Sequence, residues 1–138
     1  MVSLNAGEPL RPLREVASGG ELSRISLAIK TCVASKEETE TMIFDEVDTG
    51  ISGEVADKTG DIMRKMANEM QVICITHLPQ IAVKGTAHHQ VFKLDSTTQI
   101  KTLSSDERVT EIAQMLSGAS LSDAAIANAK QLLGLSAQ

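Results

Sequence analysis

The stretch MIFDEVDTG, residues 42–50, runs three apolar residues directly into two adjacent carboxylates, with a third carboxylate two positions later. Apolar residues without polar alternation predict that residues 41–45 form a strand of a parallel sheet, covered on both faces. Asp45 and Glu46 then lie at the carboxyl end of this strand, where open α/β sheets bind ligands. Because neighbours on an extended strand point to opposite faces, we expect one acid to hold a cation and the other to reach a water molecule. The alternative is that they are only the polar end of the strand, followed by a turn that Asp48 begins.

The segments that follow extend this strand into a larger unit. Residues at helical spacing predict a helix after it: Val55, Thr59, Ile62 and Met66. The run QVICIT, residues 71–76, predicts a second strand with an unbroken apolar centre. Strand, helix and strand over residues 41–76 therefore predict a parallel βαβ unit, right-handed by strong precedent.

Further helices and a hairpin are predicted on either side of this unit. Helical spacing predicts a helix over residues 18–36 and two helices near the end of the chain, which stop at Gly118 and Gly134. Two short apolar runs predict a hairpin with a polar link: 91–94, 100–103 and the link 95–99. We expect a single α/β domain over residues 1–138, a mostly parallel sheet flanked by helices, in three parts: a lead-in, 1–17; a core, 18–104; and C-terminal helices, 105–138.

The composition argues against several classes of protein. A net charge of −5 gives no support for a non-specific DNA-binding surface in this chain, and two phenylalanines are its only aromatic residues, which leaves little to stack on bases. Cys32 and Cys74 are far apart in apolar segments, which predicts buried, reduced thiols and neither a disulfide framework nor a zinc site. No apolar run approaches the ~20 residues that span a bilayer, and no signal peptide opens the chain. We expect a cytoplasmic protein without a membrane partner.

A capping box precedes the first predicted helix. Ser18, followed three residues later by Glu21 ahead of an apolar periodic run, predicts that the helix begins at Ser18. Gly19 and Gly20 weaken the first turn by up to about 1 kcal/mol each relative to alanine, but they leave backbone N–H groups uncovered at the positive end of the helix dipole. A phosphate group could approach closely there. The alternative is a glycine-softened helix start without a ligand.

His77 directly follows the second predicted strand. Because the carboxyl ends of parallel strands meet at one edge of a sheet, we expect His77 to lie at the same edge as Asp45. A lone histidine at a strand end is more often a surface or hydrogen-bonding residue than a catalytic one, and its convergence with Asp45 is what favours a function. His88 and His89 open a later strand and are expected to face solvent.

Three motifs follow one another along the chain: VASGGELSR at 16–24, IFDEVDTGISG at 43–53 and THLPQIA at 76–82. In this order they resemble the signature motif, the Walker B strand with its following glutamate, and the switch histidine of an ATP-binding-cassette ATPase head. The strings look like the RecN family of bacterial DNA repair ATPases, relatives of SMC proteins, and NAGEPL at 5–10 and ANAKQLL at 127–133 also fit. Transporter cassettes are a poorer match, because they typically carry proline where this chain has Val47.

The resemblance implies a role for each motif. Asp45 would hold Mg²⁺, Glu46 would polarise the water that attacks the γ-phosphate of ATP, and His77 would contact that phosphate. Asp48 would lie in the D-loop, at the interface between two heads. The signature residues would meet the nucleotide held by a second head: Ser18, Gly19, Gly20 and Glu21. The implied function is ATP hydrolysis across a homodimer of heads in double-strand-break repair and recombination, with DNA bound by the full-length protein.

A phosphate-binding Walker A loop, GxxxxGKS or GxxxxGKT, does not occur in the 138 residues. In proteins that resemble RecN this loop lies near the amino terminus, beyond a long coiled coil, and the two ends of the protein fold into one head. We therefore expect this chain to be the C-terminal lobe of the head, with the N-terminal Walker A lobe as its partner, in a nucleoid-associated cytoplasmic protein. The isolated lobe is expected not to hydrolyse ATP.

Two other classes of function are open at this point. A metal-dependent hydrolase would use Asp45, Glu46, His77 and the pair His88 and His89 as ligands. A non-catalytic module would keep the cassette pattern only for the pairing of heads, although a binding-only cassette has no need of Glu46 as a base.

Overall fold

A parallel βαβ unit lies at the centre of the chain. The computed structural model describes residues 7, 9, 12, 22, 25–30, 40–118 and 121–135. Strand β1 (Thr41–Phe44) pairs in parallel with β2 (Gln71–Cys74), and helix α1 (Gly53–Met66) connects them. The parallel βαβ unit predicted from the sequence is therefore confirmed.

Part of the predicted amino-terminal structure falls outside the described residues. The structure does not describe most of the lead-in 1–17, the predicted capping box that begins at Ser18, or the predicted buried thiol of Cys32. Residues 25–30 are helical, in agreement with the helix predicted over residues 18–36.

Close packing joins α1 to the one-turn helix α2 (Pro79–Ala82). A Cβ atom at Gly60 would lie 3.3 Å from the Gln80 carbonyl oxygen and 2.8 Å from the side chain of Lys84, so only glycine fits without a shift. Lys84 Nζ lies 2.8 Å from a carboxylate oxygen of both Asp57 and Asp61 on α1. The two helices are therefore held together by close contact and by ion pairs.

An apolar cluster around Phe44 forms the core beside β1. Phe44 is only 1% exposed, and the buried members of the cluster are Leu27, Phe44, Val47, Ile51, Ala56, Met63, Met66 and Ile81. Lys30 Nζ lies 5.3 Å from the centroid of the Phe44 ring, within the range of a cation–π interaction. Because Val47 and Ile51 belong to this core, the loop that follows β1 is anchored at two points.

The described part of the chain covers one face of the β1–β2 pair. Phe44 and Cys74 face the core cluster, whereas Ile43, Ile73 and Ile75 are 57%, 43% and 56% exposed. The prediction that β1 is covered on both faces is therefore wrong for the described residues. An apolar strand indicates that both faces are suited to burial, but it does not say which segment covers each face.

The predicted hairpin is confirmed, with a tighter turn than expected. Strands β3 (His89–Leu94) and β4 (Thr97–Thr102) pair antiparallel, with Leu94 opposite Thr97. Asp95 and Ser96 form the turn with φ values of 46° and 63°, the left-handed conformation of a two-residue hairpin turn. The predicted link 95–99 was too long because the polar residues after Ser96 continue into an exposed strand.

Two helices close the described chain, as predicted. Helix α3 (Ser105–Ser117) begins with a capping box between Ser104 and Glu107 and ends at Gly118, whose φ is 70°. Helix α4 (Asp123–Leu132) is followed by Leu133 and Gly134. Their facing residues form a second buried cluster: Val109, Ile112, Ala113, Ala125 and Ala129. No helix in the ranges described above is long and apolar enough to cross a membrane.

Arg108 connects α3 to the end of α2. Its Nη2 atom donates to the carbonyl oxygens of Ala82, Val83 and Gly85 at 3.3, 3.1 and 2.5 Å. These carbonyls lie at and just beyond the carboxyl end of α2, where backbone acceptors have no partner within the helix. The side chain therefore fastens the C-terminal helices to the βαβ unit.

Candidate functional site

The loops after β1 and β2 leave the sheet at the same edge. Phe44 and Cys74 are register partners, and Ile75 N donates to Phe44 O at 2.9 Å just beyond them. Asp45 follows one strand, and His77 lies three residues past the end of the other. The structure thus brings both loops together at the carboxyl edge, as the order of parallel strands predicts.

Asp48 links the two loops through a single carboxylate oxygen. Its Oδ2 atom accepts hydrogen bonds from Thr76 Oγ1 at 2.7 Å and from His77 N at 2.8 Å. The same oxygen lies 2.9 Å from His77 Nδ1. Asp48 is 3% exposed, whereas the side chain of His77 is 73% exposed. A buried acid therefore holds an exposed imidazole at the sheet edge.

The hydrogen bonds keep the buried carboxyl of Asp48 ionised. Burial alone would raise its pKa, but the hydrogen bonds from Thr76 and the His77 backbone, together with the attraction of the His77 ring, lower the pKa below its ordinary value. Burial and the negative charges of Asp48 and Asp45 raise the pKa of the Cys74 thiol to about 11. Cys74 is thus a protonated, half-buried thiol at neutral pH, in agreement with the sequence prediction.

Glu46 lies beyond the end of the strand, in a left-handed backbone conformation. β1 ends at Phe44, and φ of Glu46 is 57°, a value that few residues other than glycine adopt. Thr49 N donates to Glu46 O at 3.3 Å, which closes a turn. The alternation of strand side chains therefore does not set the direction of Glu46, and the argument from opposite strand faces was wrong for this residue.

Asp45 is exposed beside a cavity of about 230 Å³ between the helical segment 25–30 and the end of β1. The described residues that line this cavity are Leu22, Ser26, Lys30, Phe44, Asp45 and Val47. An exposed carboxylate suits Mg²⁺, which takes one or two carboxylates and completes its shell with waters and substrate phosphates. The donor set at this edge therefore fits Mg²⁺ bound together with a nucleotide.

The ligand set of a metal-dependent hydrolase is not assembled. Among the residues that the structure describes, no three His, Cys, Asp or Glu side chains come close enough together to hold a metal ion. His89 Nδ1 instead pairs with Thr102 Oγ1 at 3.0 Å on the hairpin. This finding counts against the proposal of Asp45, Glu46, His77, His88 and His89 as a shared transition-metal site.

The two neighbouring histidines differ in their surroundings. His89 is exposed, as predicted, but His88 is half-buried, so the expectation that both face solvent is wrong for His88. Its carbonyl oxygen accepts from Leu103 N at 2.9 Å, which draws the residue against the chain that follows β4. Burial, followed by the positive charges of Arg108 and His89, lowers the pKa of His88.

Sequence reasoning missed Thr76 and misjudged the surroundings of Asp48. Thr76 Oγ1 donates to Asp48 and accepts from Leu78 N at 3.0 Å, so it orders the turn that carries His77. A threonine three residues before Pro79 was the available signal, because hydroxyl groups often bond to the backbone just before a helix. The signature residues Ser18, Gly19, Gly20 and Glu21 lie outside the described residues, and their roles stay predictions.

Curated relatives match this chain over nearly its whole length. It is 48% identical over 139 residues to "DNA repair protein RecN" of Vibrio cholerae, and 50% identical over 137 residues to the protein of that name from Xylella fastidiosa. The Bacillus subtilis protein of the same name is 45% identical over 137 residues. Each match covers 96% of this chain. The chain spans about a quarter of the length of these relatives, 24–25%, at their C-terminal end.

A solved structure from work on ATP-driven dimerization and DNA-stimulated activation of SMC ATPases has a similar fold. The TM-score is 0.64, and the match covers 83% of this chain and 70% of that chain at 21% sequence identity. This likeness confirms the predicted fold class, an α/β lobe of the kind found in SMC ATPase heads. No family profile matches the chain. The identity of 43–50% to RecN proteins across almost every residue of this chain nevertheless shows that it belongs to the RecN family, as the C-terminal quarter of such a protein.

Proposed function

We propose that this chain is the C-terminal lobe of an ATPase head of the ATP-binding-cassette type, in a protein that acts in DNA double-strand-break repair and recombination. The observation that supports this most directly is the edge of the β1–β2 pair. Asp45 and Glu46 on one loop and His77 on the next lie at the same edge of the sheet, and Asp48 joins the two loops. The relatives named for DNA repair and the fold shared with an SMC ATPase support the same assignment.

In this proposal each polar residue of the edge has its own task in ATP hydrolysis. Bound MgATP supplies the γ-phosphate and the charge that activates it for attack. Asp45 binds the magnesium ion through its exposed carboxylate, directly or through water. Glu46, held outside the strand by its turn, accepts a hydrogen bond from the attacking water and assists as a general base. Such assistance is worth about 10²- to 10⁴-fold in rate. His77 contacts the γ-phosphate.

We propose that the N-terminal Walker A lobe of the same protein covers the open face of β1 and β2. Ile43, Ile73 and Ile75 expose apolar side chains there, and a patch of this kind marks an interaction surface. The chain spans a quarter of the length of its relatives, and no Walker A motif occurs in its sequence. The isolated chain is therefore expected to bind ATP weakly and not to hydrolyse it.

A second head completes the proposed site. The signature segment, residues 18–21, would meet the nucleotide of the partner head through the amide groups of Gly19 and Gly20, which the sequence predicts to be uncovered. The loop that carries Asp48 would lie at the same interface. Because the Asp48 carboxylate is buried, the exposed neighbours Thr49 and Gly50 are the part of this loop that reaches the partner.

DNA binding and location in the cell are proposed from the similarity to RecN proteins. The net charge of −5 does not favour DNA contact by this lobe, so we assign DNA binding to other parts of the full-length protein. A protein that acts on chromosomal breaks works at the nucleoid in the cytoplasm. In the non-catalytic alternative the lobe serves only to pair heads. Glu46 then has no role as a base, so turnover does not depend on it.

Replacing Glu46 with glutamine in the full-length protein tests the proposal. Glu46→Gln keeps the size of the side chain but removes the base, and we expect ATP binding to persist while turnover falls at least about a hundredfold. Glu54→Gln is the matched control, since Glu54 is exposed on α1 and pairs with Lys58 on its own helix, at 2.7 Å. Unchanged turnover in Glu46→Gln would reject the assignment and favour the head-pairing module.

A substitution in the signature segment tests the role of the second head. Ser18→Arg places bulk and charge against the proposed backbone cradle, so it should abolish nucleotide-dependent pairing of heads and spare ATP binding to a single head. Sedimentation with and without a non-hydrolysable nucleotide measures the pairing. Equal pairing of Ser18→Arg and parent would contradict a role across the dimer.

A further inference from the structure

Asp48 is buried, and an unusual number of hydrogen-bond donors surround its carboxylate. It follows two exposed acids in the chain, yet it is 3% exposed, and one of its oxygens serves Thr76 Oγ1, His77 N and His77 Nδ1 within 2.9 Å. Two of these donors belong to His77. The carboxylate therefore fixes both the backbone and the ring of one residue.

The chemistry of the contact determines where the histidine proton lies. An ionised carboxylate can only accept hydrogen bonds, and the hydrogen bonds to Asp48 favour its ionised form. A ring nitrogen 2.9 Å from such an oxygen must carry hydrogen. In the neutral ring, Nδ1 is then protonated, and Nε2 has a free lone pair.

We propose that Asp48 is a positioning residue that holds His77 in the tautomer protonated on Nδ1 and leaves Nε2 as the nitrogen that meets the γ-phosphate. The inference rests on the proposed function and adds a regulatory detail to it. Phosphate oxygens accept hydrogen bonds, so Nε2 can donate to one only after the ring takes up a second proton from solvent. Asp48 orients the ring through Nδ1, as the buried aspartate does for the histidine of a serine-protease triad.

Thr76 provides the control that separates positioning from simple support of the loop. Its hydroxyl donates to Asp48 and accepts from Leu78 N, and neither of these bonds involves the ring of His77. Thr76→Val therefore weakens the loop and leaves the carboxylate beside Nδ1. Asp48→Ala removes the acceptor beside Nδ1 together with the bonds to the loop, so the proton is no longer held on Nδ1, whereas Thr76→Val reports the effect of the loop alone.

The tautomer can be read directly by NMR on the chain labelled with ¹⁵N-histidine. The chain has three histidines, and the spectrum of His77→Gln identifies the signals of His77. At about pH 8, where ordinary histidines are neutral, we expect the Nδ1–H form in the parent and in Thr76→Val, and a shift toward the Nε2–H form in Asp48→Ala. An Nε2–H form in the parent, or the same tautomer in Asp48→Ala and parent, would overturn the inference.

Hydrolysis by the full-length protein tests whether the tautomer matters for the reaction. Asp48→Ala should lower kcat by about 10- to 100-fold, the usual loss when a residue that orients a functional histidine is removed. His77→Ala should be affected at least as strongly, with Thr76→Val close to the parent. Full activity of Asp48→Ala beside a loss in His77→Ala would overturn the positioning role. If His77→Ala is also fully active, the proposed function of His77 fails, and the NMR result stands by itself.

Discussion

Replacing Asp48 with alanine should lower the free energy of unfolding by about 2 to 4 kcal/mol. Thr76 Oγ1 and His77 N, both partly buried, lose their acceptor, and each such loss costs about 1 to 3 kcal/mol. The ring of His77 is 73% exposed and regains water, so its contact adds little. Urea denaturation of parent and variant, followed by circular dichroism, measures the difference. Asp45→Ala is the matched control, because an exposed acid three residues earlier should change stability by less than about 0.5 kcal/mol.

The pH dependence of this difference gives a second check with a defined sign. Because the pKa of Asp48 is lowered in the folded state, its contribution is fully present above the ordinary carboxyl pKa and is lost as the pH falls through the lowered value. The gap between parent and Asp48→Ala should therefore stay constant from neutral pH down to about pH 5 and narrow only below about pH 4. A gap under about 1 kcal/mol at neutral pH would refute the reasoning, since a carboxylate with three donors must contribute more.

Three other substitutions or reactions test the scaffold. Ser104→Ala removes the capping box of α3 and should cost about 1 kcal/mol by the same urea assay, and an unchanged midpoint would show that the cap does not form. Arg108→Ala removes the side-chain donor of three carbonyls at and just beyond the end of α2 and should cost about 2 kcal/mol. Cleavage by a protease between α2 and β3 should rise as well, and equal cleavage of variant and parent would speak against this link. Changing Cys32 to serine leaves Cys74 as the thiol that reacts with iodoacetamide. Because its thiol pKa is about 11, Cys74 should react at least about a hundredfold more slowly at neutral pH in the folded chain than in urea. Equal rates in the two conditions would contradict the burial of Cys74.

The elements that have a regular pattern of apolar residues could be predicted from the sequence. The apolar run that ends at Phe44 and the run around Ile73 predicted parallel strands, and helical spacing with terminal glycines predicted α1, α3 and α4. These features depend on residues close together in sequence. The meeting of the two loops at one edge followed as well, because parallel strands joined by a helix must place their carboxyl ends side by side.

The missed features depend on contacts between distant residues. The turn at Ser96 is set by the strand pairing on either side of it, and the left-handed conformation of Glu46 is set by the way in which Val47 and Ile51 anchor the next loop in the core. Neither signal is present in the local pattern. The sequence placed the three acids at the end of the strand and in the turn after it, but it did not show that Asp45 and Glu46 are exposed and Asp48 is buried.

The division of these acids has a physical origin in the core of the protein. Once Val47 is drawn into the cluster around Phe44, the next residue must enter the space between the two loops, where burial disfavours a charge unless donors surround it. Thr76 and His77, 28 and 29 residues further on, supply those donors. A carboxylate in that position stabilises the site and at the same time constrains its histidine. The residue that secures the loops is therefore also the one able to set the proton on His77, and substitutions at Asp48 should couple stability to turnover in a way that substitutions at exposed Asp45 do not.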